Sequence, residues 1–400
     1  MDRIYLDHNA TTPLLEEAAE AMARCQSQSP GNPASQHWAG RQARRALEDA
    51  REGIASLLGA DLGSTQGDRV VFTSGGTEAN NLAIFAFAGR QPQQLVISAI
   101  EHPSIAAPAA KLERQGWRVR RLGVSADGEV LADSLPSLFE VDTRLVSVML
   151  GNNETGVLQP IERLAAICGR CGVLLHTDAA QVAGKLPLHF RRLGVSAMTF
   201  SAHKFHGPVG IGALVIRGGV EVQPLLHGGF QQSGLRPGTE SVALAVGMHA
   251  ALAAWQRDAA DFAQRLTALR DRFERELLTA CPDLVVNGAS APRLPQTSNI
   301  AFRGMDGEAL VMALDLAGVA CSTGSACASG SSEPSPTLLA MGLSKELYQG
   351  SLRFSFARAT TPGEVSEAVR RICKIYNDLR LKDDSRKIAR TGRIGNGNSL

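Results

Sequence analysis

Met198-Thr199-Phe200-Ser201-Ala202-His203-Lys204-Phe205-His206-Gly207-Pro208-Val209-Gly210-Ile211-Gly212 runs from an apolar strand into a tight Gly/Pro turn. At the junction stands a lysine flanked by a hydroxyl and two imidazoles. Lys204 is poorly placed as a solvated surface charge and well placed for covalent work. Desolvation and nearby cations lower an amine's pKa, so it can exist as the free nucleophile that forms a Schiff base with an aldehyde.

Working outward, strand-like runs at Val70–Thr73, Gln94–Ser98, Val119–Leu122, Leu145–Leu150, Val173–His176, Ala197–Ser201 and Gly212–Ile216 alternate mostly with helical stretches. That pattern predicts an α/β domain with a largely parallel sheet, in which ligands gather beyond the carboxyl ends of the strands. A long helical stretch, about Ala243 to Ala280, is expected to bridge to a smaller α/β domain containing Asn299–Phe302 and Leu352–Phe356. The expected division is a large domain over 15–255 and a small one formed by 1–14 and 256–380. The tail, 381–400, is expected to be disordered.

Other strand ends supply the partners Lys204 needs. Gly172-Val173-Leu174-Leu175-His176-Thr177-Asp178-Ala179-Ala180-Gln181 reads as a buried strand ending in a carboxylate. Pyridoxal phosphate needs an anion beside its ring nitrogen, because the protonated pyridinium is the electron sink. Asp178 is the candidate anion, and Gln181 can hydrogen-bond the ring's phenolic oxygen; alone, such an aspartate is more often a helix cap. Val70-Val71-Phe72-Thr73-Ser74-Gly75-Gly76-Thr77-Glu78-Ala79-Asn80-Asn81 reads as strand, glycine turn and helix, a phosphate cradle from Gly76 and Thr77 or an ordinary βα turn. In Ile100-Glu101-His102-Pro103-Ser104 the imidazole can stack on a pyridine face and transfer protons, or be a satisfied loop residue. Asn153, in Gly151-Asn152-Asn153-Glu154-Thr155-Gly156, can donate to ring substituents or simply form the turn.

A second feature is Ala320-Cys321-Ser322-Thr323-Gly324-Ser325-Ala326-Cys327-Ala328-Ser329-Gly330-Ser331-Ser332-Glu333-Pro334-Ser335-Pro336. Small, polar and without periodicity, it predicts a mobile exposed loop over about 321–336, and an accessible thiolate on such a loop is reactive. Cys25, Cys168, Cys171, Cys281 and Cys373 sit in helix-like or apolar contexts and read as small hydrophobes. Cys168 and Cys171 make a C-x-x-C on an amphipathic helix, with no second ligand pair at zinc-like spacing.

The lysine segment, the Thr-Asp-Ala-Ala-Gln strand end, Tyr5-Leu6-Asp7-His8-Asn9-Ala10-Thr11-Thr12-Pro13 and the Ser-Gly-Ser-Ala-Cys loop together resemble the pyridoxal-phosphate-dependent cysteine desulfurases, in the branch with a long cysteine loop. The resemblance runs from about residue 3 to about residue 378. It implies the fold type I transferase architecture, with a mostly parallel seven-stranded sheet and a smaller C-terminal α/β domain. By matching motif it makes Lys204 the Schiff-base lysine and Cys327 the persulfide acceptor. Asp178 pairs with the pyridine nitrogen, Gln181 with the phenolic oxygen, and His102 stacks on the ring and takes the substrate thiol's proton. Asn153 contacts cofactor or substrate, and Gly76, Thr77, Ser201 and His203 surround the phosphate. Thr239, in Arg236-Pro237-Gly238-Thr239-Glu240, is implied to reach a neighbouring subunit's phosphate, which requires a homodimer. Arg353, in Leu352-Arg353-Phe354-Ser355, clamps the substrate carboxylate, a task suited to a guanidinium fork. Asn32, in Gly31-Asn32-Pro33-Ala34-Ser35, lines the substrate pocket.

The implied reaction converts L-cysteine to L-alanine and leaves sulfur on Cys327 for a sulfur-acceptor protein such as an iron–sulfur scaffold. No resident metal is implied, although Cys327 can ligate an iron–sulfur cluster transiently. Cys321 departs from the family signature, and the basic tail does not resemble the family's scaffold-binding end. The rival readings are a selenocysteine lyase or other pyridoxal-phosphate lyase, an aminotransferase, and a silent scaffold of the same fold.

Composition agrees with a soluble enzyme: 400 residues, 44% hydrophobic, suffice for a large core. A net charge of +2 argues against a nucleic-acid surface. No apolar run of membrane-spanning length is present in the sequence. Seven cysteines point to a reducing compartment, by default the cytoplasm.

Overall fold

The structure, a computed structural model, describes residues 2–28, 31–63, 66–89, 91–324 and 334–394, with side chains described as far as residue 381. Among the described residues the strands are β1 (Ile4–Tyr5), β2 (Arg69–Thr73), β3 (Gln94–Ser98), β4 (Arg118–Leu122), β5 (Thr143–Ser147), β6 (Leu174–Asp178), β7 (Ala197–Ser201), β8 (Gly212–Ile216), β9 (Val285–Val286), β10 (Thr297–Ala301), β11 (Val319–Ala320) and β12 (Ser351–Ser355). Seven of them form one sheet in the order β2-β8-β7-β6-β5-β3-β4. Only β8 runs against its neighbours in that sheet. The carboxyl ends of β2, β3, β5, β6 and β7 therefore open on the same edge, the expected mostly parallel α/β architecture.

Alternation along these strands decides the two faces. Val70, Phe72, Val96, Val146, Leu175, Met198, Phe200, Ala213 and Val215 join one buried cluster. Their neighbours Val71, Leu95, Ile97, Leu145, Ala197, Leu214 and Ile216 join another. The second cluster is covered by the Gly76–Ala88 helix, apolar nearly all round and buried along most of its length. Where that helix begins, a Cβ on Gly212 would lie 2.5 Å from the Gly75 carbonyl carbon. Glycine at 212 thus lets β8 pass close beneath the turn that opens the helix.

Two smaller sheets complete the chain: β12-β10-β9, antiparallel, and β1-β11, parallel. Asp7 also bridges to Ser355, which brings the N-terminal segment beside β12. The helical stretch expected over Ala243–Ala280 is two helices, Val242–Gln256 and Ala259–Ala280. Asp258 leaves helical geometry between them, its carboxylate held by Arg358 Nη2 at 2.7 Å. The last helix, Pro362–Ile394, continues beyond the Leu381 boundary at which an unstructured tail is expected. Residues 382–390 contain no glycine or proline and include lysine, arginine, isoleucine and alanine, which tolerate a helix.

Fully buried Phe273, on the Ala259–Ala280 helix, packs on Phe354 of β12 and on Phe356, with ring centroids 4.9 and 5.4 Å away. Phe273→Ala is expected to lower unfolding free energy by about 3–5 kcal/mol. Denaturant titration checks this, and a loss below about 1 kcal/mol would contradict the packing described.

Candidate active site

A cavity of about 370 Å³ opens at the carboxyl edge of the large sheet. Its wall includes ten of the residues singled out from sequence: Gly76, Thr77, His102, Asn153, Asp178, Gln181, Ser201, His203, Lys204 and Arg353. Each strand end contributes. The turn after β2 places Gly76 and Thr77, the segment after β3 places His102, and the turn after β5 places Asn153. Asp178 closes β6, and Ser201 closes β7 just before Lys204.

Lys204 Nζ donates to the carbonyls of Asn9 at 2.6 Å and Ala10 at 2.8 Å. The segment around these residues lies against the lysine turn: Thr12 N and Oγ1 both donate to the His203 carbonyl. His206 N donates to Thr12 Oγ1 at 2.6 Å, and His206 itself has φ +66°, a left-handed conformation rare outside glycine. Burial, with the charges of Lys204 and Lys185, pushes His203 down to about 4. His203 therefore enters the site as a neutral ring at neutral pH.

Asp178 is 7% exposed. Its Oδ1 accepts from Ala180 N at 2.9 Å and its Oδ2 from Asn80 Nδ2 at 2.7 Å. Asn80 Nδ2 also donates to Ser104 Oγ at 2.8 Å, and Ser104 Oγ lies 2.7 Å from His102 Nδ1. Backbone Ser104 N donates to the same His102 Nδ1 at 3.1 Å. A backbone N–H is only a donor, so Nδ1 is the acceptor and the neutral ring carries its proton on Nε2. His102 thus presents an N–H rather than a base lone pair, which favours stacking and hydrogen-bond donation over its expected role as acceptor of the substrate thiol's proton.

Arg353 is 2% exposed. Its Nη2 meets Asp7 Oδ1 at 2.7 Å and its Nη1 the Asn153 carbonyl at 3.1 Å, while its buried Nε has no hydrogen-bond partner. Ser201 Oγ is also buried without a partner, and a Cβ on Gly76 would lie 3.4 Å from Ser201 Cβ. An orphaned hydroxyl beside the first turn of a 13-residue helix is suited to a phosphate, because the first N–H groups of a helix have no partner within it. With a carboxylate, an amine and an orphaned guanidinium nitrogen on the same wall, the residues fit an aldehyde cofactor bearing phosphate and a basic ring nitrogen.

Several partners escape a reading of motifs. Asn9 accepts from Lys204 and from Gln181 Nε2 through its carbonyl, and its side chain donates to the Asn153 carbonyl at 3.2 Å and to Thr297 Oγ1 at 2.8 Å. Glu154 is buried, which pushes its carboxyl up, and Ser335 Oγ donates to its Oε2 at 2.5 Å. The same oxygen is 2.9 Å from where a Cβ on Gly324 would stand. Glu154 thus touches the described residues on either side of 325–333. Cys327 lies outside the described residues. Cys321 is described: burial, then the charge of Asp7, pushes its thiol up to about 12, so it stays protonated and a poor nucleophile.

Two predicted residues lie elsewhere. Asn32 is exposed and its Oδ1 accepts from Ala34 N at 2.9 Å; Thr239 is exposed as well. Neither lines this cavity within one chain. Among the described residues, no cluster of three or more His, Cys, Asp or Glu side chains could hold a metal ion, and no helix is long and apolar enough to cross a membrane.

The aminotransferase class-V family model matches residues 4–367. A cysteine desulfurase IscS of Dictyoglomus turgidum is 41% identical over 380 residues, 94% of this chain and 95% of its own length. A solved NifS-like protein superposes with TM-score 0.86 at 32% identity, covering 94% of this chain and 99% of that one. A structure of SspA in complex with cysteine superposes with TM-score 0.76 at 31% identity, covering 90% and 100%.

Glu101, next to His102, accepts from Ser98 Oγ and from Met149 N, yet burial pushes it up to about 8. The folded chain then holds a proton that the unfolded chain releases near the ordinary carboxyl range, so this group's stabilising effect is complete below that range and lost as pH rises towards 8. Glu101→Gln is expected to flatten the fall in melting temperature between pH 5 and pH 8 relative to the parent. Parallel slopes for the two proteins would contradict the neutral, buried carboxyl.

Proposed function

The chain belongs to the class-V aminotransferase family, among its cysteine desulfurases, and from that premise we propose that this cavity takes L-cysteine to L-alanine and passes the sulfur to Cys327 as a persulfide. The observation that carries the reading is the convergence of Lys204, Asp178, His102 and Arg353 on one cavity at the strand ends. The coarse chemistry comes with the family, whose enzymes depend on pyridoxal phosphate. When bound, the cofactor supplies an electron sink for charge that develops on the substrate's α-carbon.

The chain's own groups do the rest. Lys204 is the covalent anchor and, once released, the base that takes the α-proton. Asp178, held rigid by Asn80 and Ala180 N, keeps a proton on the ring nitrogen. Gln181 would serve the phenolic oxygen of the bound cofactor, and His102 and Asn153 would hold its ring. Gly76, Thr77, Ser201 and His203 would hold its phosphate. Arg353, oriented by Asp7, grips the substrate carboxylate with its guanidinium group.

The Cys327 thiolate attacks the substrate's sulfur: the S–S bond forms, the Cβ–S bond breaks, and the bonding pair stays on carbon. The substrate sulfur keeps its own proton, so no base is required for it, in keeping with the tautomer of His102. The proton that Cys327 sheds balances the one that completes the alanine methyl. Cys321 is no substitute acceptor, because its thiol stays protonated.

The exposed Thr239, and Asn32 with it, serve a site only across a homodimer, which the reading includes. A thiol of an iron–sulfur scaffold protein in the cytoplasm is the proposed acceptor of the sulfur. Cys327→Ala is expected to keep the long-wavelength absorbance of lysine-bound cofactor while alanine production from L-cysteine falls about a hundredfold or more. Turnover near the parent's would refute the role of Cys327, and mass spectrometry of the parent after one turnover should find the added sulfur there. Lys204→Ala is expected to lose that absorbance; an unchanged, borohydride-reducible linkage would place the anchor elsewhere.

A further inference from the structure

The cavity wall hides a second amine that the reaction above does not use. Lys185 is 5% exposed. Burying an ionisable side chain costs free energy that an apolar one of similar size avoids. Lys185 Nζ donates to Gln181 Oε1 at 2.8 Å, and Gln181 Nε2 donates to the Asn9 carbonyl at 3.0 Å. A backbone carbonyl can only accept, so the amide nitrogen must face Asn9 and the amide oxygen is the end that receives Lys185, whatever the charge on the amine. The amide NH2 is thereby turned towards the cavity. The Asn9 carbonyl that receives it also receives Lys204 Nζ, so Lys185, Gln181, Asn9 and Lys204 form one hydrogen-bonded chain. Gly184, at φ +69°, lets this turn press on Phe205, the neighbour of Lys204: a Cβ there would stand 2.3 Å from Phe205 Cβ.

We propose that Lys185 is a positioning residue that locks the Gln181 carboxamide with Nε2 towards the cofactor's phenolic oxygen, and so sets the protonation of the Lys204-bound cofactor. This rests on the roles given above to Lys204 and Gln181. A donor on the phenolic oxygen withdraws charge from it and makes the adjacent lysine-derived nitrogen less basic. The charged and titratable groups on the cavity side are Asp178, His102, His203, Lys204 and Arg353, with Lys185, His8, His206 and Asp7 behind. Burial, then Lys204 and Arg353, holds the Lys185 amine well below its ordinary range. Its hydrogen bond to Gln181 does not depend on full charge, since a neutral amine still donates.

The test is a pH titration of the long-wavelength absorbance of holoenzyme in the parent, Lys185→Met, Gln181→Leu and the double variant. Lys185→Met is expected to raise the midpoint by about one pH unit, the worth of one hydrogen bond to a charged group. Gln181→Leu should raise it similarly, and the double variant no further than Gln181→Leu alone. Lys185→Gln, which keeps an N–H donor without the charge, should stay closer to the parent than Lys185→Met does. An unmoved midpoint in Lys185→Met, or additive shifts in the double variant, overturns the proposal. So does a Lys185→Met protein that melts normally but takes up no cofactor, since the assigned role is orientation. If the parent shows no such absorbance, or Lys204→Ala retains it, the reading of the site itself has failed.

Discussion

Three basic side chains, Lys185, Lys204 and Arg353, share one small space at the edge of the large sheet, and the site depends on how their charge is held. Lys204 rests on two backbone carbonyls, Arg353 on Asp7 and a third carbonyl, and Lys185 on an amide oxygen. Only one of these three partner sets includes a carboxylate. Burial, and after it nearby basic side chains, keeps the neighbouring imidazoles neutral: His8 and His203 are both pushed down to about 4. Excess positive charge in a low-dielectric cavity is stabilised when anions enter. A phosphate, a phenolate and a substrate carboxylate are three anions of suitable kind, which ties the electrostatics of the cavity wall to the chemistry of the family.

The sheet alone does not make this arrangement. Residues 7–13 thread between the lysine turn and β12, and Asn9 binds groups from five parts of the chain: the β5 turn, the β6 turn, the lysine turn, β10 and β12. This segment converts a row of strand ends into a closed cavity. It also couples the carboxylate clamp on β12 to the amine after β7, because Asp7 orients Arg353 two residues before Asn9 receives Lys204. Any shift of β12 against the large sheet is felt at the amine through this short strut.

Much of the site was legible because a mostly parallel sheet delivers every carboxyl end to the same edge. Lys204, Asp178, His102, Asn153 and Gly76 each follow an apolar run, so their shared location is a consequence of the strand pattern. Asn9, Asn80, Glu154 and Lys185 carried no comparable signal. Lys185 sits in an apolar turn where its charge is conspicuous, but its partner, four residues back, becomes meaningful only once Asn9 arrives from the other end of the chain. Asn32 and Thr239 were read from motif resemblance, and within a single chain they belong to the surface.

Sequence by itself determined the order of strands and helices, the chemical kinds of group at each strand end, and the family. Local alternation and turn residues suffice for these, because they depend on neighbours within a few positions. Tertiary structure alone decided which nitrogen of His102 carries the proton, which end of Gln181 faces the cavity, and that the Cys321 thiol is kept protonated. Each depends on desolvation or on one hydrogen bond from a residue outside the local motif, and only packing can supply that.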